Sequence, residues 1–177
     1  MEKRFEGRVV MDELSTFPLS PSNRPLSDKA CELVCEGRRV AKLVNCFEFV
    51  PSNYERAWRA LDSLPRGRFC EWGSGLGIVT GLAELLGFEA FGIEMDAELC
   101  RQSRELFISL GLSARIYNED YFQSTHRADY YYVYCWPSYI ELTEELFGTI
   151  AKSDSVLLIC YGQDDIRGFF NSDSGAI

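Results

Sequence analysis

The chain has 177 residues, of which 46% are hydrophobic, and its 18 Lys and Arg against 27 Asp and Glu leave a net charge of −9. That apolar content excludes a disordered chain, and the length favours one domain with a sizeable core. The acidic balance disfavours nucleic acid and anionic membranes as partners, because phosphate contacts need clustered Lys or Arg.

No window approaches the roughly 18 apolar residues of a spanning helix. The opening Met1-Glu2-Lys3-Arg4-Phe5-Glu6 lacks the apolar stretch of a secretory signal, so the expectation is a cytoplasmic protein with no membrane partner. There are seven cysteines, no Cys-x-x-Cys and one histidine, so no metal site is expected. Cys31 and Cys35 stand four apart, while Cys70, Cys135 and Cys160 lie in apolar runs and read as buried reduced thiols.

Residues 1–52 read as an arm and a hairpin packed on the core. The arm, residues 1–29, is polar and spotted with Pro18, Pro21 and Pro25, and allows a short strand at Gly7–Met11. The hairpin pairs Cys31–Val34 with Arg39–Val44 around Glu36-Gly37-Arg38. Residues 53–177 read as the main domain. Ser52-x-x-Glu55 is a capping box, and the helix after it shows Tyr54, Ala57, Trp58, Leu61 and Leu64 on one face until Pro65-Arg66-Gly67 stops it. Strands and helices then alternate. A strand at Arg68–Trp72 precedes a helix at Gly77–Leu86, and a second strand at Glu89–Glu94 precedes a helix at Ala97–Leu110. The third and fourth strands are Ser113–Tyr117 and Ala128–Cys135. A second capping box, Ser138-x-x-Glu141, opens a helix to Ile150. The fifth strand is Asp154–Tyr161, and Asp165–Phe170 reads as a last short helix. Such alternation predicts a mostly parallel sheet with right-handed crossovers.

The first strand runs into Glu71-Trp72-Gly73-Ser74-Gly75-Leu76-Gly77. Glycines there let the backbone turn tightly and approach a ligand. The spacing is not the Gly-x-Gly-x-x-Gly of dinucleotide folds, since Ile78 stands where its third glycine belongs. The carboxylate two residues before the first glycine repels a pyrophosphate, whereas a ligand with an ammonium and a sulfonium is not repelled. Both features count against a nicotinamide oxidoreductase.

Glu71 to Gly77 matches in full the acidic-x-Gly-x-Gly-x-Gly motif of the class I S-adenosylmethionine-dependent methyltransferases, which this sequence resembles from Asn53 to Tyr161. The resemblance implies a Rossmann-like three-layer α/β sandwich with S-adenosyl-L-methionine as cofactor. It implies that Glu71, Gly73, Ser74, Gly75 and Gly77 cradle that cofactor. Glu94, with Met95 beside it, ends the second strand, where a carboxylate accepts both ribose hydroxyls. After the third strand the family places an acid against the adenine amino group. Asp120 takes that role here, with Tyr121 or Phe122 against the ring and Glu119 as the alternative acid. Asp96 reads as a helix N-cap.

The acceptor belongs outside the carboxyl ends of the strands, between the first and the fourth. The family's fourth motif there is Asp or Asn, then Pro-Pro and an aromatic. This chain has Cys135-Trp136-Pro137-Ser138-Tyr139 and lacks the polar first residue. Trp136 and Pro137 are the expected acceptor walls. Tyr130, Tyr132 and Tyr134 alternate onto one face, as core or as site. Tyr161-Gly162-Gln163-Asp164-Asp165 offers polar groups on the same rim, and His126 reads as an exposed loop residue. No catalytic base is assigned.

The expected function is in-line methyl transfer to a small molecule or a protein side chain. The alternative is a non-catalytic binding module on the same fold. Only 16 residues follow Tyr161, so the C-terminal end of the sheet is expected to be shortened relative to the family, which usually ends in a further antiparallel pair of strands. A sheet edge left bare there is expected to be free to pair with a second copy.

Overall fold

A computed structural model describes residues 14–44, 50–162 and 164–171. The strand allowed at Gly7–Met11 lies outside them. In chain order the elements are β1 (Ser15–Phe17), α1 (Asp28–Ala41), α2 (Tyr54–Asp62), β2 (Arg68–Trp72), α3 (Ile78–Leu85), β3 (Glu89–Glu94), α4 (Ala97–Leu110), β4 (Arg115–Asn118), β5 (Tyr130–Tyr134), α5 (Ile140–Ile150), β6 (Val156–Cys160) and β7 (Ile166–Phe170). Two 3-10 turns, Tyr121–Gln123 and Pro137–Tyr139, precede β5 and α5.

The strands form one sheet in the order β1-β7-β6-β5-β2-β3-β4. Pairing is parallel from β6 through β5, β2 and β3 to β4. From β2 the chain winds outward through β3 and β4, then crosses back to β5. The reversal between β2 and β5 is the switch point where such sheets bind ligands.

Side-chain alternation splits the core in two. Phe69, Tyr132, Leu158 and Cys160 face the layer built by α1 to α4, while Cys70, Trp72, Tyr131, Val133, Leu157 and Ile159 face α5 and the segment before β5. Tyr132 is therefore core. Its hydroxyl donates to Ser52 Oγ at 3.1 Å.

The expected hairpin at 31–44 is instead the helix α1. Ala30, Leu33, Val34, Gly37 and Val40 are its buried residues, a helical spacing that the Glu36-Gly37-Arg38 turn reading overlooked. Ser27 caps it by accepting from Ala30 N at 3.2 Å. Gly37 is a contact point rather than a turn, since a Cβ there would stand 2.2 Å from Ile78 Cδ1. Gly37→Leu is thus expected to destabilise the fold by about 1–3 kcal/mol, which a thermal melt reads as a fall of roughly 5 °C.

The last helix is also overturned. Ile166–Phe170 is strand β7, antiparallel to β6 on one side and to β1 on the other. Gly168 sits where Phe17 of β1 crosses, with no room for a Cβ. The expected bare edge at β6 is therefore covered by one C-terminal and one N-terminal strand. Both capping boxes shift as well. Asn53 rather than Ser52 caps α2, accepting from Arg56 N, and α5 starts from the Pro137 turn without a side-chain cap. Trp58 Nε1 donates to Pro25 O at 3.0 Å and fastens the N-terminal arm to α2. Among the described residues no helix is long and apolar enough to cross a membrane.

Candidate functional site

The segment between β2 and α3 holds Gly73, Gly75 and Gly77 at φ of 65°, 55° and 71°. Only glycine adopts that region without strain, so the motif's spacing is a conformational requirement. At Gly77 a Cβ would also stand 2.6 Å from Ser103 Oγ, so α4 packs directly on the bend. Above Gly73 a Cβ meets nothing within 4 Å, which leaves open space over the turn.

Glu94 closes the turn from the end of β3. Its Oε2 accepts from Gly75 N and its Oε1 from Asp96 N, both at 2.8 Å. The Glu94 carbonyl accepts from Asn118 Nδ2 and from Glu119 N, which ties the end of β4 to the end of β3. Asp96 caps α4 through Glu98 N and Leu99 N, as expected. The Met95 side chain is exposed at this rim.

Glu71 is buried and faces the first turn of α3. Its Oε2 accepts from Thr80 N at 2.7 Å and from Thr80 Oγ1 at 2.6 Å. Burial pushes this carboxyl up from 4.5 to about 8, against the Thr80 hydrogen bonds and with help from the Glu94 charge. Buried Tyr54, at the start of α2, is raised by its own burial and then by the Glu71 charge. None of the ion pairs among the described residues includes Glu71 or Glu94. Ser74 turns its side chain inward over Gly92, where its hydroxyl is buried without a partner.

Asp120 caps the 3-10 turn Tyr121–Gln123 by accepting from Phe122 N at 3.0 Å. Tyr121 stacks on Trp72 at 5.6 Å and 13°, with Phe122 beside it at 4.2 Å. The structure thus brings Glu71, the glycines, Glu94, Met95, Asp120 and Tyr121 to the carboxyl ends of β2, β3 and β4. Trp136 and Pro137 stand at the end of neighbouring β5, where Trp136 meets Tyr134 edge-on at 6.3 Å. Cys135 is buried against Thr143 Oγ1, 3.6 Å away. Past β6, Asp164 binds Arg56 Nε at 3.1 Å and so ties the rim to α2, while Gln163 lies outside the described residues.

His126 is not a bare loop residue. It stacks on Tyr117 at 4.3 Å, and its Nε2 lies 3.3 Å from Glu119 Oε2. Two residues had no role in the sequence-based expectations. Thr80 holds Glu71, and Asn118 donates to the Glu94 and Met95 carbonyls. A hydroxyl in the third position of the helix that follows the motif was a usable signal for Thr80. Asn118 had none without the topology. Tyr139, the aromatic that closes the fourth-motif segment, joins the ring series through Phe122 at 6.2 Å. A cleft of about 420 Å³ opens at the opposite end of the sheet beside Arg68, Phe88 and Arg115. On its wall Glu84 accepts from Ser113 N and Ala114 N.

No family model matches the chain, and no curated protein matches its sequence. Solved structures do. An RNA methyltransferase from Salinibacter ruber, crystallised with S-adenosyl-L-homocysteine, aligns at 16% identity and a TM-score of 0.53 over 63% of this chain and 83% of its own. The methyltransferase PaMTH1 from Podospora anserina, also bound to that product, aligns at 15% and 0.57 over 77% of this chain and 63% of its own. A TehB-like SAM-dependent methyltransferase from Corynebacterium glutamicum aligns at 16% and 0.52 over 76% and 73%. This chain spans about half, 49%, of the PH0226 protein from Pyrococcus horikoshii, which it matches at 20% identity and a TM-score of 0.48. An RNA methyltransferase among these neighbours leaves the expectation against nucleic acid without support from the likeness. The chain has the Rossmann-like fold of the class I methyltransferases.

Proposed function

We propose that this protein binds S-adenosyl-L-methionine and transfers its methyl group directly to a small molecule or a protein side chain. The observation that carries the reading is the Glu94 carboxylate, buried on the Gly75 amide with Glu71 nearby, neither of them in an ion pair among the described residues. A buried Glu94 carboxylate, and a buried Glu71 acid that a neighbouring cation would ionise, suit a ligand that brings an ammonium and a sulfonium. The open space over Gly73 gives such a ligand room.

When bound, the cofactor supplies an activated methyl group. The chain's part is placement. The glycine bend and Glu71 hold the amino-acid end, Glu94 holds the sugar, and Asp120 with Tyr121 holds the base. Trp136 and Pro137 wall the acceptor side and exclude water, and the Trp136 ring favours a positive centre. Such alignment supplies roughly 7–11 kcal/mol of a barrier. A second reading, a binding module that transfers nothing, draws on Cys135. It stands where the family carries a polar residue, and burial and the Glu144 charge push its thiol up.

Calorimetric titration of the full chain with S-adenosylhomocysteine tests the proposal. A micromolar Kd and a rise in Tm are expected. No heat and no thermal shift with that ligand or with S-adenosylmethionine removes the reading.

A further inference from the structure

The acceptor side of the rim carries an acidic surface. From Ala128 to Ala151 the chain has Asp129, Glu141, Glu144 and Glu145 and no Lys, Arg or His. Asp129 is paired with Lys152 and belongs to the other end of the sheet. Glu141 and Glu145 are exposed one turn apart on α5, and neither belongs to an ion pair among the described residues. Glu144, half-buried beside Glu145, is raised by burial and then by the Glu141 charge.

On the same stretch stand three large apolar side chains, Trp136, Tyr139 and Leu142, exposed by 49%, 48% and 50%. Their three-residue spacing runs through the Pro137–Tyr139 turn into α5. Residues i and i+3 neighbour each other on a helix, so Tyr139 and Leu142 form a stripe, with Trp136 at its head in extended backbone just before the turn. Exposed apolar side chains grouped this way mark interaction sites, whereas Leu43, Met95 and Ile108 are exposed on separate elements.

The stripe is continuous with the candidate site. Tyr139 meets Phe122, Phe122 meets Tyr121, and Tyr121 stacks on Trp72 at the end of β2. From Trp136 to Glu145 the surface is about 15 Å long, at 1.5–2.0 Å of rise per residue. That exceeds a small amine and equals about five residues of extended peptide.

We propose that this rim is a docking surface for a basic segment of a protein, whose cations meet Glu141 and Glu145 while its apolar side chains cover Trp136, Tyr139 and Leu142. Charge complementarity selects that occupant, since an acidic segment or an RNA strand would be repelled by carboxylates that pair with no cation among the described residues. That the docked segment carries the methyl acceptor rests on the methyl-transfer reading above.

The test uses the full chain and a fluorescein-labelled decapeptide of lysine and leucine, read by anisotropy. The expected result is saturable binding that weakens with salt and that Glu141→Lys with Glu145→Lys weakens at least about tenfold. Trp136→Ala with Leu142→Gln is expected to weaken it comparably. Glu141 and Glu145 are exposed and Trp136 and Leu142 half-exposed, so the variants should stay folded and melt within a few degrees of the parent. Variants that bind like the parent, a glutamate-for-lysine decapeptide that binds equally well, displacement by millimolar n-butylamine, or tighter binding of an oligouridylate each overturn the proposal. Calorimetry with S-adenosylhomocysteine on the same samples separates the two ideas. Peptide binding without cofactor heat sinks methyl transfer and leaves the surface standing, whereas cofactor heat without peptide binding does the reverse.

Discussion

Replacing Glu94 by alanine is expected to weaken S-adenosylhomocysteine binding at least about a hundredfold, equivalent to about 2.7 kcal/mol. Its carboxylate accepts two backbone N–H groups, one from the turn and one from the start of the next helix segment. A hydrogen bond to a charged group contributes about 1.5–3 kcal/mol, and a donor left buried without a partner costs more than a missing contact. Alanine therefore frees Gly75 from β3 as well as removing the group that would grip the sugar, and a fall in Tm should accompany the loss. Glu94→Gln separates the two effects. Its amide oxygen can accept one N–H, but its NH2 faces the other donor, so binding should fall about tenfold with a smaller change in Tm. Calorimetry and thermal melts on the three proteins read both quantities. Binding by Glu94→Ala within about threefold of the parent would remove Glu94 from the site.

The glycine turn and its supports were legible because their signals are local. Arg68–Trp72, Glu89–Glu94 and Ala97–Leu110 are found at the bounds that strand patterning, Asp96 and Gly111 predict. Three left-handed glycines in five residues leave the backbone few alternatives. The placement of Glu94 beside Gly75 follows once both strands are parallel neighbours, with Glu71 beside Gly92 and Trp72 beside Ile93. The errors fell where partners are distant in sequence. Nothing near Ile166–Phe170 announces that Phe17, some 150 residues earlier, will pair across Gly168. At α1 a glycine in mid-pattern looked like a turn, although it is there because Ile78 needs the space. The ring series from Trp72 to Tyr139 was invisible for the same reason, since it joins β2, the segment after β4 and the turn before α5.

Glu71→Gln is expected to stabilise the protein in alkaline solution while weakening its hold on the cofactor. The carboxyl is raised from its ordinary 4.5 to about 8 because burial outweighs the two Thr80 hydrogen bonds. Between those values the folded chain holds a proton that the unfolded chain has released. Parent stability therefore falls as pH rises through that window and levels off above about 8. The ceiling on this loss is about 5 kcal/mol, at 1.36 kcal/mol for each unit of pKa. Glutamine cannot ionise, keeps an oxygen for Thr80 N and Oγ1, and escapes the decline. Melts at pH 9 should place the variant roughly 5–10 °C above the parent, with the gap closing towards pH 5. A bound ammonium would reverse the parent's preference by favouring the ionised carboxylate. Parent affinity should accordingly rise with pH towards 8, with proton release on binding, while the variant's should be weaker and flat. Calorimetry in two buffers of different ionisation enthalpy reads that proton directly. A destabilised site residue that gains stability when neutralised and loses ligand affinity together is the signature of a carboxylate kept for function rather than for folding. An equal pH profile in both proteins would instead make Glu71 a structural tie between β2 and α3.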